Sequence, residues 1–107
     1  MAPQIVRVGT QAIQEAFENE GLREPALFGI EVIDAKIREP GPNAPDDLTV
    51  GSTSVMLSYR SAATGEEVAE AHVYRYPDGS PRGTPDPKYV KSGGTIFVLD
   101  RSLDDDG

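Results

Sequence analysis

His72 is the only histidine of this chain, and it stands in the run EVAEAHVYRY, residues 67–76. It is the side chain whose ordinary pKa lets it exchange a proton near neutral pH. Glu70, Tyr74 and Arg75 flank it with a carboxylate, a phenol and a guanidinium. Together these four could run metal-independent general acid–base chemistry, such as that of a small RNA-cleaving toxin. Period-two alternation on a strand puts His72 on one face with Val68, Glu70, Tyr74 and Tyr76. The simpler reading of the same pattern is a half-exposed strand histidine that packs against its cross-strand neighbours.

A second chemistry overlaps the first. Tyr74, Arg75, Tyr76, Arg82, Lys88, Tyr89 and Lys91 form the one basic and aromatic concentration of the sequence. Tyrosine and arginine are enriched at protein–protein hot spots. Stacking rings with interleaved cations also suit single-stranded nucleic acid. Tyr74, Tyr76, Arg82, Lys88, Tyr89 and Lys91 are therefore the candidate binding residues, with a protein as the expected partner.

Other chemistries find no residues. One histidine and no cysteine remove the common zinc sets, thiolate sites and disulfides. The acidic run Asp104–Asp106 lacks the glycine and distal glutamate of a calcium loop. No phosphate-binding glycine loop, dinucleotide fingerprint, nucleophile elbow or HExxH is present. No cofactor and no metal are expected.

The elements that must position these residues follow from periodicity. Residues 4–8 read as a short strand or an ordered arm. Ala12, Ile13, Ala16 and Phe17 recur at helical spacing, which predicts an amphipathic helix over Gln11–Glu20. Thr10 is its expected N-cap. Gly21 is the expected left-handed residue after its end, with Leu22 folded back onto Phe17. Residues 29–38 show apolar side chains of both parities, which predicts a strand with a bulge near Val32–Ile33. Residues 55–60 and 68–76 alternate cleanly and predict an antiparallel hairpin around Thr64–Gly65. Residues 77–94, PDGSPRGTPDPKYVKSGG, are rich in proline and glycine and read as a long shaped loop, the expected working surface. Within it, PDPK resembles a helix start, with Asp86 as cap and a short turn over 87–92. Residues 95–100, TIFVLD, read as a final strand buried on both faces. The ends, 1–3 and 102–107, read as frayed.

A length of 107 residues predicts one domain. The expected fold class is α+β: one N-terminal helix on a four- to five-stranded antiparallel sheet, possible as a cystatin-like wrap. The formal net charge is −8. It argues against nucleic acid and anionic membrane as partners. The acids are divided evenly between the two halves, which favours solubility over an acidic mimic. No stretch has the apolar length of a membrane span or a secretory leader, so the expected location is the cytoplasm.

The segment AHVYRYPDGSPRGTPDPKYVKSGGTIFVLD, residues 71–100, resembles the C-terminal half of small uncharacterised bacterial and phage proteins. Those share a strand, a PDG turn, a G-x-PDPK corner and a closing strand. The resemblance covers about 30 residues, leaves the first half unmatched, and implies a bacterial or phage origin but no activity. The combined expectation is a non-enzymatic interaction protein, such as an accessory, inhibitor or antitoxin-like factor. Its rival is a small nuclease that uses His72.

Overall fold

A computed structural model describes residues 2–104. Strand β1 (Gln4–Val8) leads into helix α1 (Thr10–Asn19), and a short 3₁₀ turn (Pro25–Phe28) precedes β2 (Ile30–Arg38). Strands β3 (Thr53–Ser61), β4 (Glu67–Arg75), β5 (Pro81–Ser92) and β6 (Thr95–Leu99) follow, and a 3₁₀ turn (Arg101–Asp104) comes last. The sheet order is β1-β6-β5-β4-β3-β2. Strands β2 to β6 form an antiparallel meander in chain order, and β1 adds in parallel beside β6. The fold is thus α+β with one α-helix and a six-stranded mixed sheet. The expected count of four or five strands, all antiparallel, is corrected by β1 and by β5. Among the described residues no helix is long and apolar enough to cross a membrane.

The helix follows its apolar stripe in part. Ile13 and Phe17 are fully buried and Ala16 is half-buried, but Ala12 is exposed. They pack on Val55, Leu57 and Tyr59 of β3, Ala69, Ala71 and Val73 of β4, and Val90 of β5. The alanines on β4 leave room for the helix, so the Phe17 ring meets Tyr59 edge-on at 5.1 Å. Arg23 also lies over the Phe17 ring, 4.8 Å from its centroid. Its guanidinium also donates to the Pro85 carbonyl at 2.9 Å. At the helix end, Gly21 has φ +74°. The Leu22 N–H donates to Phe17 O at 3.1 Å and the Gly21 N–H to Glu18 O at 3.0 Å. That double bond pattern closes a helix through a left-handed residue.

The start of the helix differs from the expected cap. Gly9, not Thr10, is the N-cap, and it offers no side chain. The carboxylate comes instead from Asp104: its Oδ1 accepts the Thr10 N–H at 2.6 Å, and its Oδ2 accepts the Thr10 hydroxyl. A carboxylate is stabilising at a helix N-terminus, where free N–H groups concentrate positive potential. A Cβ on Gly9 would stand 2.6 Å from that oxygen, so a side chain at position 9 would push the carboxylate aside. Residues 101–104 are therefore tied down where a frayed end is expected. Met1 and residues 105–107 lie outside the described residues.

Three further expectations change. The β2 bulge lies at Ala35, between Asp34 and Lys36, not at Val32–Ile33. Strand β2 is a sheet edge whose Val32, Ile33 and Ile37 stay exposed. Its Glu31, Asp34, Lys36 and Arg38, together with the bulge, are the devices that discourage edge-to-edge pairing. In the loop between β2 and β3, Leu48 is half-buried and Val50 is fully exposed. The 77–94 segment is mostly strand: a tight turn at 77–80, then the twelve residues of β5, then a turn at Gly93–Gly94. No helix starts at Asp86–Pro87, because both pair with β4. Proline is expected to break an interior strand for want of an N–H. Here register shifts between Glu70 and Ala71 and between His72 and Tyr74 absorb that defect.

Candidate functional site

The helix covers one face of the sheet, and the register assigns the candidate residues to the other. On β4, Ala69, Ala71 and Val73 are buried under α1 while Glu70, His72 and Tyr74 alternate outward, half-exposed. On β3, Ser54 and Met56 stand opposite Tyr74 and His72. On β5, Arg82 stands opposite Tyr74, Asp86 opposite His72 and Tyr89 opposite Glu70. Lys91 pairs with Ile96 of β6. Residues far apart in the sequence, from Ser54 to Lys91, thus share one bare sheet face.

His72 sits at its centre. Its Nε2 shares a hydrogen bond of 2.6 Å with Ser54 Oγ. Its ring meets the Tyr74 ring edge-on at 4.5 Å. Burial pushes the imidazole pKa below its ordinary value; Lys88 and Arg101 push the same way, and Asp86 opposes them. The neutral ring is therefore favoured at pH 7. Asp86 is clamped by Lys88 Nζ at 3.1 Å and Arg101 Nη2 at 2.8 Å.

The proposed catalytic quartet does not assemble. Arg75 lies on the helix side of the sheet, where it makes a two-pronged contact with Asp34 at 2.7 and 2.8 Å. That pairing holds the Asp34 carboxyl below its usual range. Glu70 shares the face with His72 but, among the described residues, makes no hydrogen bond to it or to Tyr74. Burial and the neighbouring Glu67 raise the Glu70 carboxyl pKa. The partner that His72 does have, Ser54, was outside the sequence-derived set. The hairpin register carries the signal for it: Met56 opposite His72 puts Ser54 on the diagonal.

The binding set shares the face but is spread along it, with each cation next to a carboxylate. At one end, Asp47 accepts from Tyr76 Oη at 2.8 Å and from Arg82 Nε at 2.9 Å, which ties the 39–52 loop to the β4–β5 hairpin. At the other, Tyr89 Oη and Ser58 Oγ both donate to Glu67, and Arg60 Nε donates to Ser58 Oγ at 3.1 Å. Burial, followed by the bond to Glu67, pushes the Tyr89 phenol well above its ordinary pKa. Lys91 Nζ lies 3.4 Å from Glu66.

Three depressions touch the face: one of about 350 Å³ lies beside Lys91, Glu66 and Ile96, and two others lie nearer His72. The larger, about 660 Å³ and open, is lined by Arg7, Lys88, Val98, Leu99, Asp100 and Arg101. The smaller, about 90 Å³, is lined by Lys36, Arg38, Ser54, Met56 and His72. Among the described residues no group of three or more histidine, cysteine, aspartate or glutamate side chains could hold a metal ion. No protein-family model matches the sequence, and no curated protein and no solved structure is similar to it.

Proposed function

We propose that this chain is a non-enzymatic protein-interaction module, an accessory, inhibitor or antitoxin-like factor of bacterial or phage origin, which docks a protein partner on the sheet face opposite α1. The observation that carries this reading is the bare face itself, where Tyr74, Tyr76, Arg82, Lys88, Tyr89 and Lys91 stand around His72. Flat surfaces with tyrosine and arginine anchors suit protein recognition better than small-molecule binding, which favours concave apolar sites. Glu15, Glu18 and Glu20 belong to the exposed side of α1. The cations of the sheet face each have a carboxylate of this chain beside them, so an acidic partner would bind by exchange with Asp47, Asp86 and Glu66.

Replacing Arg82, Lys88 and Lys91 together by Ser tests the reading. Solvent reaches all three of these ion pairs, the half-buried Lys88–Asp86 pair included, so each is worth about 0–1 kcal/mol and the melting temperature should change little. Capture of the partner from host extract should weaken, and the difference between parent and variant should shrink as salt is added. Equal capture of the same protein by both forms at low salt would remove this face as the docking surface.

The Ser54–His72 hydrogen bond favours a second reading, a small metal-independent nuclease. A neutral imidazole bonded to a hydroxyl is the arrangement of a general base. In that case single-stranded RNA should be cleaved, and His72→Ala should reduce the rate by about 10²–10⁴-fold. We expect the parent to show no cleavage; activity that survives His72→Ala would exclude His72 as the base.

A further inference from the structure

The bulge at Ala35 has a geometric consequence on the bare face. Before it, Asp34 pairs with Leu57, whose side chain is under α1; after it, Lys36 pairs with Met56 and Arg38 with Ser54, both on the opposite side. Without the extra residue, Lys36 and Arg38 would fall on the helix side. Bulges of this kind re-aim side chains. Both cations are thereby brought to the depression that also contains Ser54, Met56 and His72.

The lining is one-sided in charge. It holds two cations, a hydroxyl and an imidazole, and no carboxylate. Arg7, Arg75, Arg82, Lys88, Lys91 and Arg101 each have an ion-pair partner, and Arg23 and Arg60 donate to neutral oxygens, whereas Lys36 and Arg38 have neither kind of side-chain partner among the described residues. In an acidic protein, two cations left together without counter-ions are the unusual feature. A volume of about 90 Å³ is room for about three waters, the scale of one tetrahedral oxyanion. Arginine offers a fork of donors, lysine a point charge, and the serine hydroxyl a further donor.

We propose that Lys36, Arg38, Ser54 and His72 form a binding site for a phosphate group, supplied either as inorganic phosphate or as a phosphomonoester. The site needs neither the docking function nor the nuclease reading, and its test is independent of both. Arg38 and Lys36 close on the anion from the sheet edge. Ser54 donates its hydroxyl while His72 Nε2–H donates to Ser54 Oγ. Met56 forms the apolar floor. Around the imidazole stand Lys36 and Arg38 from β2, Ser54 and Met56 from β3, Tyr74 from β4, Asp86 and Lys88 from β5, and Arg101 from the last turn. An added dianion there should raise the His72 pKa.

The experiment is a nuclear magnetic resonance titration of the isotope-labelled protein with inorganic phosphate, with O-phosphoserine, and with sodium chloride at matched ionic strength. Phosphate is expected to give saturable shifts at Lys36, Arg38, Ser54 and His72 that chloride does not reproduce, and to move the His72 titration upward. Equal affinity for the two phosphates assigns the site to the group itself; tighter O-phosphoserine assigns it to a phosphomonoester. The double variant Lys36→Gln/Arg38→Gln, with an unchanged melting temperature, should bind at least about tenfold more weakly, the loss expected from charge-assisted hydrogen bonds. Shifts that never saturate, that spread equally to Arg7, Lys88 and Arg101, or that persist unchanged in the double variant would overturn the site.

Discussion

Phe17→Ala is expected to be the most damaging single substitution in the helix, with a loss of about 3–5 kcal/mol. Phe17 is fully buried, and two side chains contact its ring. Tyr59 meets it edge-on at 5.1 Å and Arg23 covers it at 4.8 Å. Truncation removes the transfer free energy of the ring, leaves a cavity between helix and sheet, and frees Arg23 from its stacking partner. The wall that would have to collapse is built on Ala69 and Ala71, which cannot extend to fill the space. For a domain of this size each kcal/mol moves the melting temperature by about 4–8 °C. Calorimetry or thermal circular dichroism would measure the change. Unaltered melting of Phe17→Ala would mean that α1 does not pack on the sheet through this ring.

Gly21→Ala should be the next largest, for two separable reasons. Gly21 holds φ +74°, and an L-residue in the left-handed region costs about 1–2 kcal/mol. A Cβ there would also stand 2.5–2.7 Å from ring atoms of Phe28, and crowding of that kind costs about 1–3 kcal/mol. Phe28 is 61% exposed, so Phe28→Ala alone should be close to neutral. The double variant Gly21→Ala/Phe28→Ala should then recover the crowding part and retain the backbone part. If the double variant is no more stable than Gly21→Ala, the Phe28 ring swings aside without cost and the backbone angle accounts for the whole loss.

Elements with their own periodicity were legible from the chain alone. The helix, its left-handed end at Gly21 and the fold-back of Leu22 depend on residues within one or two turns of each other. The hairpin of β3 and β4 likewise follows from alternation on either side of Gly65, and it correctly gave His72 and Tyr74 a common face. The mixture of apolar parities in residues 30–37 correctly signalled a bulge, but not its position. Both parities are only compared when β3 lies alongside, and it is that pairing which selects Ala35.

What escaped was whatever depends on residues distant in sequence. The prolines of residues 81–87 argue locally for a loop, because a missing N–H weakens a strand. Inside the sheet, two register shifts against β4 make the same segment an interior strand. The helix cap is supplied by Asp104, ninety-four positions from Thr10, where no local capping pattern can reveal it. The alternation of β4 already separates Arg75 from His72, since strand residues three apart point to opposite faces, whereas the gain of Ser54, Lys36 and Arg38 needs the cross-strand register. Short-range periodicity is enough for the α+β class, the helix stripe and the alternation of β4. The parallel seat of β1, the strand character of β5 and the membership of the bare face rest on cross-strand register, which arises solely when the strands meet.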